Sequence, residues 1–453
     1  MPATAKKTSR TPRKKSRVSA PALASPQEGD SVTSLAGRDA NLPEWMLSQA
    51  YAEERPKYDS AVVIGSGISG LCCAARLARS KSFNGKVVLL GQPPAQSRRL
   101  IGGLTLRARA LDYFAACLGI SRSVLLDRLY DGRAAEVACH RQVAARFTRH
   151  RNGEYEIGPR GEWMSRWEHQ GRILAYGVRN SHMAGTIYEF MVQQGIEWKN
   201  ARPQSLSDCL DLAPGKKPFV INCNPAPLPG LGGIPVKPKR FVVAAQVPFS
   251  APHREAKGIL QTNTSFFCGR RRGGSLDASV WYPLLDPLSP SARMYAVFYR
   301  IVRNTPKLHK AAETEVLKDH LVGVGHALGL EPVDPEETMG TAVVPCSDWE
   351  ANREHTPGYI DLGRLANLGT PIIAGDGMPR AALAAYVTAE ALIAGVEPQA
   401  YLNHAGGKWR FGNRVTSLAF GPHSWAGDMA LRWFPGYGLR LIQDRGETWA
   451  GVE

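Results

Sequence analysis

The fold of this chain is decided by residues 61–75, which read Ala61-Val-Val-Ile-Gly65-Ser-Gly67-Ile-Ser-Gly70-Leu-Cys-Cys-Ala-Ala. A short apolar run precedes three glycines, and small apolar residues follow them. This pattern predicts a buried strand over 59–64, a tight turn and a helix over 66–79, with a second strand over 86–91. The order strand, glycine-rich turn, helix, strand indicates an α/β protein with a Rossmann-like nucleotide-binding domain.

The glycine turn has the spacing that a bound pyrophosphate requires. Gly65 allows the tight turn, Gly67 lets a phosphate approach the backbone, and Gly70 lets the helix pack against the strand. Backbone N–H groups at a helix N-terminus then face the anion. The alternative is a glycine-rich turn that binds nothing. The candidate cofactor contacts in this segment are Gly65, Ser66, Gly67, Ile68, Ser69 and Gly70.

The second strand lacks the acidic residue that usually follows it in dinucleotide-binding units. It ends Leu89-Leu90-Gly91-Gln92. Gln92 either bonds a ribose hydroxyl through its uncharged amide or is only a loop residue, and the sequence favours neither.

A second motif lies near the other end of the chain, where residues 370–379 read Thr370-Pro-Ile-Ile-Ala-Gly375-Asp376-Gly377-Met-Pro379. It predicts a strand over 370–374 and a helix from Pro379, a residue type accepted in the first turn of a helix. The Asp376 carboxylate can accept a bond from a ribitol hydroxyl, and the helix N-terminus can face the flavin edge that becomes negative on reduction. The alternative is that Asp376 only caps the helix.

These two motifs together resemble the FAD-dependent aromatic hydroxylases of the 4-hydroxybenzoate hydroxylase type, the group A flavoprotein monooxygenases. Residues 101–120 are similar to that family's basic loop and following helix, and residues 174–198 to its strand and helix with a flavin-contacting polar residue. The resemblance implies FAD as cofactor. It also implies that Arg99, Arg107 or Arg179 contacts the FAD phosphates or ribityl chain.

The sequence departs from that family at two places. The family usually has an Asp-Gly motif at the mid-chain strand, linked to FAD and NAD(P)H binding, whereas this chain reads Val220-Ile-Asn-Cys-Asn-Pro-Ala-Pro. Pro379 also follows Gly375-Asp376 almost at once, where the family has a longer loop. The first departure puts NAD(P)H as electron donor in doubt. We therefore expect a monooxygenase that acts on an aromatic or apolar organic substrate, with an FAD-dependent oxidase or dehydrogenase as the alternative.

The middle of the chain predicts a mixed or antiparallel sheet inserted into the nucleotide-binding domain. Alternating apolar runs at 240–249, 262–268, 276–283 and 294–302 favour neighbouring strands. The expected organisation is a disordered basic tail over 1–42, an FAD-binding domain over 43–150 and 346–400, a mixed FAD and substrate region over 151–345, and a C-terminal helical segment over 401–453.

Aromatic residues on this sheet are candidates for a substrate pocket. Trp281 and Tyr282 are the assigned candidates, with Tyr295, Phe298 and Tyr299 beside them, and the alternative is that all of them are core. His182 and Tyr188 are considered as acid/base groups, but the sequence assigns no catalytic residue. No metal ligand set is expected, since the cysteine and histidine spacings match no zinc site.

The net charge of +16 is concentrated at the N-terminus. Residues 1–17 hold seven Lys and Arg and no acid, so the remaining 436 residues carry a net charge of only +9. Such a tail is typical of disorder, with an organelle transit segment, a nuclear signal or an anionic-surface tether as functional alternatives. We do not expect a nucleic-acid partner. A flavin-fold binding protein with a basic partner surface stays a further alternative, for which steep salt dependence of binding would be the sign.

The eight cysteines indicate a reduced intracellular protein, because none forms a Cys-x-x-Cys pair. No apolar run reaches the roughly 18 residues that a membrane helix needs, and no apolar secretory segment is present. We therefore expect a cytoplasmic protein that acts on a small organic molecule, with its oligomeric state left open.

Overall fold

The computed structural model describes residues 58–81, 83, 86–92, 103–157, 165–168, 173, 175–224, 228, 240–250, 264–272, 275–285, 292–303, 310–333, 340–346, 356–362 and 377–398. The strands are β1 Ser60–Ile64, β2 Val87–Leu90, β3 Gly103–Arg107, β4 Ala138–Cys139, β5 Arg141–Arg149, β6 Tyr155–Ile157, β7 Ser165–Glu168, β8 Ala175–Arg179, β9 Glu197–Lys199, β10 Pro218–Asn222, β11 Arg240–Ser250, β12 Thr264–Arg272, β13 Ser275–Pro283, β14 Ala292–Arg303, β15 Gly340–Cys346 and β16 Tyr359–Asp361. The α-helices are α1 Ile68–Ala78, α2 Ala108–Leu118, α3 Arg122–Tyr130, α4 Asn180–Gln193, α5 Leu206–Asp211, α6 Lys310–Ala327 and α7 Gly377–Ile393.

A parallel sheet carries the glycine turn, and its order within the described residues is β16-β10-β1-β2-β9. Its central strand β1 is buried along its whole length, because both faces of the sheet are covered. Ala61 and Val63 point to one face and pack with α1 and α7, whereas Val62 and Ile64 point to the other and pack with residues of α5. The predicted strand–turn–helix–strand unit is confirmed.

The middle of the chain forms a larger sheet, ordered β15-β11-β14-β13-β12-β5-β6, with β7 beside β5. The pairs from β15 to β12 are antiparallel, whereas β12 and β5 run parallel. Helix α6 covers one face, where Leu317 and Leu321 pack on Val243 and Phe298. The mixed sheet expected from the alternating pattern is therefore present.

Two details differ from the sequence expectation. The alternating run expected over 262–268 continues further, because β12 ends at Arg272, which already pairs with Ser275 of β13. Strand β5, which falls inside the segment 43–150, belongs to the larger sheet rather than to the parallel one. Its partner β12 follows more than a hundred residues later, so no local pattern indicates the pairing.

A third, three-stranded sheet has the order β3-β8-β4 and is antiparallel. It lies against the face of the large sheet opposite to α6, where Cys139 of β4 packs with Tyr282 and Tyr295. Residues 103–107, expected to be a basic loop, form β3, because they pair along their length with β8.

In the part of the chain that the structure describes, no helix is both long and apolar enough to cross a bilayer.

Candidate functional site

The carboxyl ends of the parallel strands meet at one edge of the sheet, and this edge collects the polar and glycine residues singled out above. Gly65 follows β1, Gly91 and Gln92 follow β2, and Asn224 lies two residues after β10. The two neighbours of β1 are β2 on one side and β10 on the other, so the chain crosses the sheet in both directions from this point. Ligands of open parallel sheets bind in the crevice at such a switch point.

The backbone of the turn between β1 and α1 requires glycine at positions 65 and 70, but not at position 67. Gly65 has φ +104°, a conformation that side chains rarely adopt. A Cβ built on Gly70 would lie 1.9 Å from the carbonyl oxygen of Gly65, so any side chain there would push α1 off the turn. Gly67, the N-cap of α1, is different, because a Cβ there would meet nothing within 4 Å.

The open space at Gly67 lies at the N-terminus of α1, where backbone N–H groups and the helix dipole favour an anion. Gly67 has no side chain with which to cap these amides, and α1 has no acidic residue in its first turn. Ser66 beside it is half-buried, whereas Ile68 and Ser69 are buried. The turn can therefore hold a phosphate group through its backbone, and the assignment of Gly65 to Gly70 as cofactor contacts stays a prediction.

The end of β2 lies close to the same turn. Gly91 has φ +149°, and a Cβ on it would lie 3.3 Å from the backbone nitrogen of Ser66. Its N–H donates to the carbonyl of Lys199 in β9 at 3.1 Å. Gln92 is exposed immediately after it, and its bond to a ribose hydroxyl stays a prediction.

The structure separates the arginines that the resemblance assigns to the FAD phosphates. Arg107 pairs with Ala175 and Arg179 pairs with Gly103, so the two lie at opposite ends of the β3–β8 ladder. At about 3.4 Å per residue, the four residues between them place their backbones roughly 14 Å apart along the strands. Arg99 lies outside the described residues, and the assignment of these three arginines to FAD stays a prediction.

The second motif is described only from Gly377 onward. Gly375 and Asp376 lie outside the described residues, and Pro379 lies in the first turn of α7. Helix α7 packs against α1, and buried Glu390 of α7 forms an ion pair with Arg76 of α1. The helices that follow the two predicted motifs are thus held side by side. The ribitol contact of Asp376 stays a prediction.

Trp281 and Tyr282 do not line one pocket. Neighbouring residues of a strand point to opposite faces, and Trp281 is enclosed with Phe249 on the α6 side, where its Nε1 donates to Ser279 Oγ at 2.9 Å. Tyr282 faces the three-stranded sheet and is only 1% exposed. Trp281 is thus buried in the core on the α6 side, and of the two candidates only Tyr282 faces the three-stranded sheet. The substrate pocket stays a prediction.

His182 makes a contact between two helices, the more common role of a lone histidine. Its Nε2 lies 2.7 Å from the carbonyl oxygen of Leu129, which ties α4 to α3. Tyr188 packs edge-on against Trp198 with ring centroids 5.2 Å apart. Both residues therefore make packing contacts between elements, and no catalytic residue is assigned.

A polar network that the sequence analysis did not assign lies at the ends of β10 and β16. Asn222, 1% exposed, donates from Nδ2 to Asp361 Oδ1 at 2.9 Å, and its Oδ1 accepts the backbone N–H of Asn224 at 3.1 Å. The backbone N–H of Cys223 donates to Ile64 at 2.8 Å, which extends the sheet toward the glycine turn. The available signal was a pair of asparagines that ends a buried apolar strand.

The thiols near this edge are protonated groups rather than nucleophiles. Although Cys223 as a residue is half-buried, its thiol is desolvated, and this burial, with Asp361 nearby, raises the pKa of the thiol. Burial likewise raises the pKa of Cys72 and of Cys73 in α1. All six cysteines whose state the structure describes are free, and these three act as small apolar packing groups.

Comparison with known proteins identifies the fold. No protein-family model matches the sequence, and no curated protein matches it. The crystal structure of FqzB matches with a TM-score of 0.54 at 14% identity, over 88% of this chain and 96% of FqzB. The crystal structure of CtdE in complex with FAD and substrate 4 matches with a TM-score of 0.53 at 12% identity, over 87% of this chain and 99% of CtdE. The predicted fold class is confirmed: the chain has the fold of FqzB and CtdE, an α/β fold with a Rossmann-like parallel sheet and a second, larger mixed sheet.

Proposed function

We propose that this protein is an FAD-dependent oxidoreductase and that the glycine turn after β1 binds the FAD pyrophosphate. The observation that carries the proposal is the open space at Gly67, at the N-terminus of α1. The flanking positions, Gly65 and Gly70, have no room for a side chain. CtdE, which shares the fold, was solved with FAD. Together with the sequence resemblance to group A hydroxylases, these observations favour FAD over other dinucleotides.

Different residues of this chain would bind different parts of the cofactor. The backbone of Gly65, Ser66 and Gly67 would hold the phosphates, and Gln92 would face the adenosine ribose. Asp376, immediately before α7, would accept a ribitol hydroxyl, and the N-terminus of α7 would face the flavin. When bound, FAD supplies electron transfer to and from an organic substrate and dioxygen, while the protein orients the substrate and excludes water.

Monooxygenation of an aromatic or apolar organic molecule is the reaction that the resemblance favours. An oxidase or dehydrogenase is the second candidate, because Asn222-Cys223-Asn224 stands where the hydroxylases usually have the Asp-Gly motif linked to NAD(P)H. Absorption spectra of the purified protein with and without NADH or NADPH separate the two. Flavin bleaching by a nicotinamide favours the monooxygenase, whereas bleaching by organic substrates alone favours the oxidase or dehydrogenase.

Gly67→Val tests the cofactor site itself. The fold has room for this side chain, since a Cβ at Gly67 meets nothing within 4 Å and its φ of −72° suits any residue. The isopropyl group would occupy the space of the phosphate and should raise the Kd for FAD at least about tenfold. Fluorescence titration of apoprotein with FAD measures this, and thermal melting of the apoprotein should be unchanged.

Gly70→Ala is the matched control, because its Cβ would lie 1.9 Å from the Gly65 carbonyl oxygen and should destabilise the apoprotein. Full retention of FAD by a folded Gly67→Val protein would overturn the phosphate assignment.

A further inference from the structure

The short segment after β10 lies against the glycine turn. A Cβ built on Gly65 would come within 2.6 Å of Asn224 Oδ1 and within 3.3 Å of the Asn224 backbone nitrogen. Asn224 is nevertheless exposed, so its side chain lies beside the turn at the carboxyl edge of the sheet and is accessible from solvent. Resting on the proposed function, we infer that Asn224 is a further cofactor contact, whose side-chain amide bonds the FAD diphosphate.

Asn224 has the chemistry that a diphosphate at this position needs. Its amide nitrogen is a two-proton donor without charge, and hydrogen bonds from donors to ionised phosphate oxygens are stronger than those between neutral groups. A carboxylate of the same shape would have no proton to donate and would repel the phosphates. A diphosphate beside residue 224 therefore favours a hydrogen-bond donor there over a carboxylate.

Asn222 and Asp361 hold Asn224 in place. A carboxylate oxygen only accepts hydrogen bonds, so the bond to Asp361 requires the NH₂ group of Asn222 to point toward β16. The Oδ1 atom of Asn222 must then point the other way, where it accepts the backbone N–H of Asn224. Asn222 and Asp361 are buried and do not face the crevice, so they act as positioning residues through Asn224.

The first experiment measures the Kd for FAD by fluorescence titration of full-length apoprotein. Asn224→Ala should raise the Kd roughly tenfold to 150-fold, the range expected for a lost hydrogen bond to a charged group. Asn224→Asp should raise it further, because it adds repulsion. Since Asn224 is exposed, the melting temperature of the apoprotein should stay that of the wild type.

Asn152→Asp is the matched control. This exposed asparagine lies in the connection between β5 and β6, and its amide bonds Glu154 rather than any residue of the parallel sheet. The same change of charge should leave the Kd for FAD unchanged there.

The positioning role is tested by exchanging the two buried groups. Asn222→Asp alone places two carboxylates side by side and should weaken FAD binding. The double variant N222D/D361N restores one donor and one acceptor, with the acceptor still facing Asn224, and should recover most of the affinity. A role in stability alone would predict recovery of the melting temperature without recovery of the Kd.

The outcomes separate this inference from the proposed function. If the wild type binds FAD and Gly67→Val does not, but both Asn224 variants bind with the wild-type Kd, the inference is wrong and the proposed function stands. If the wild type itself does not bind FAD, the proposed function is wrong, and the inference about Asn224 is wrong with it.

Discussion

At the scale of single residues, the buried ion pair between Arg76 and Glu390 joins the helix after the glycine turn to the helix after the second sequence motif. Arg76 lies on the helix after the glycine turn, and Glu390 lies on the helix after Gly375-Asp376. The Glu390 side chain is 0% exposed and that of Arg76 is 12% exposed. A charge in such surroundings is tolerated only with its partner, because the desolvation of one ion is offset by the other.

Glu390→Gln should therefore destabilise the protein by about 3–5 kcal/mol, since it leaves the Arg76 guanidinium buried without a counter-charge. Urea denaturation at neutral pH measures the change in free energy of unfolding. The double variant Arg76→Met/Glu390→Leu should regain most of this loss, because apolar side chains need no counter-charge there. Equal stability of Glu390→Gln and the wild type would show that the pair contributes nothing to the α1–α7 contact.

At the scale of elements, Gly177 sets how closely the three-stranded sheet approaches the large sheet. A Cβ on Gly177 of β8 would lie 1.9 Å from the Pro283 carbonyl oxygen and 3.1 Å from Cδ2 of Tyr282. The Gly177 carbonyl also accepts a hydrogen bond from the buried Tyr130 hydroxyl at 2.8 Å. The strand is therefore clamped between a helix on one side and the end of β13 on the other.

Gly177→Ala should lower the free energy of unfolding by about 1–3 kcal/mol, the usual cost of overpacking. The control is Gly185→Ala in α4, where a Cβ would meet nothing within 4 Å and alanine should stabilise the helix by about 0.5–1 kcal/mol. Opposite shifts of the melting temperature are expected for the two variants. A Gly177→Ala protein as stable as the wild type would show that the sheets can separate without cost.

At the scale of the whole molecule, the basic N-terminal segment is expected to be dispensable for folding. Residues 1–40 hold no aromatic residue and only a few large aliphatic ones, so they have little apolar surface to bury. Deletion of residues 1–40 should leave the melting temperature and the flavin content unchanged. A large fall in melting temperature would contradict this expectation, whereas a change in cellular distribution alone would identify the segment as a targeting signal.

The sequence by itself determined those parts of the fold whose signal is local. The strand, glycine turn and helix around Gly65 are consecutive, so apolar run, glycine spacing and small-residue helix all indicate the same unit. The hairpin of β12 and β13 is also local, since two alternating runs flank a short connection. Gly65 and Gly70 could be predicted because a tight turn and a close helix contact each exclude a side chain.

Only the tertiary structure decided which distant segments meet. Strand β5 lies beside β12, and Trp281 and Tyr282 face different layers, because packing assigns each face of a sheet to a partner. Asn224 reaches Gly65 for the same reason: β10 pairs with β1 although more than 150 residues separate them. Local periodicity records which residues are apolar, but the pairing of remote strands depends on how whole layers bury their surfaces together.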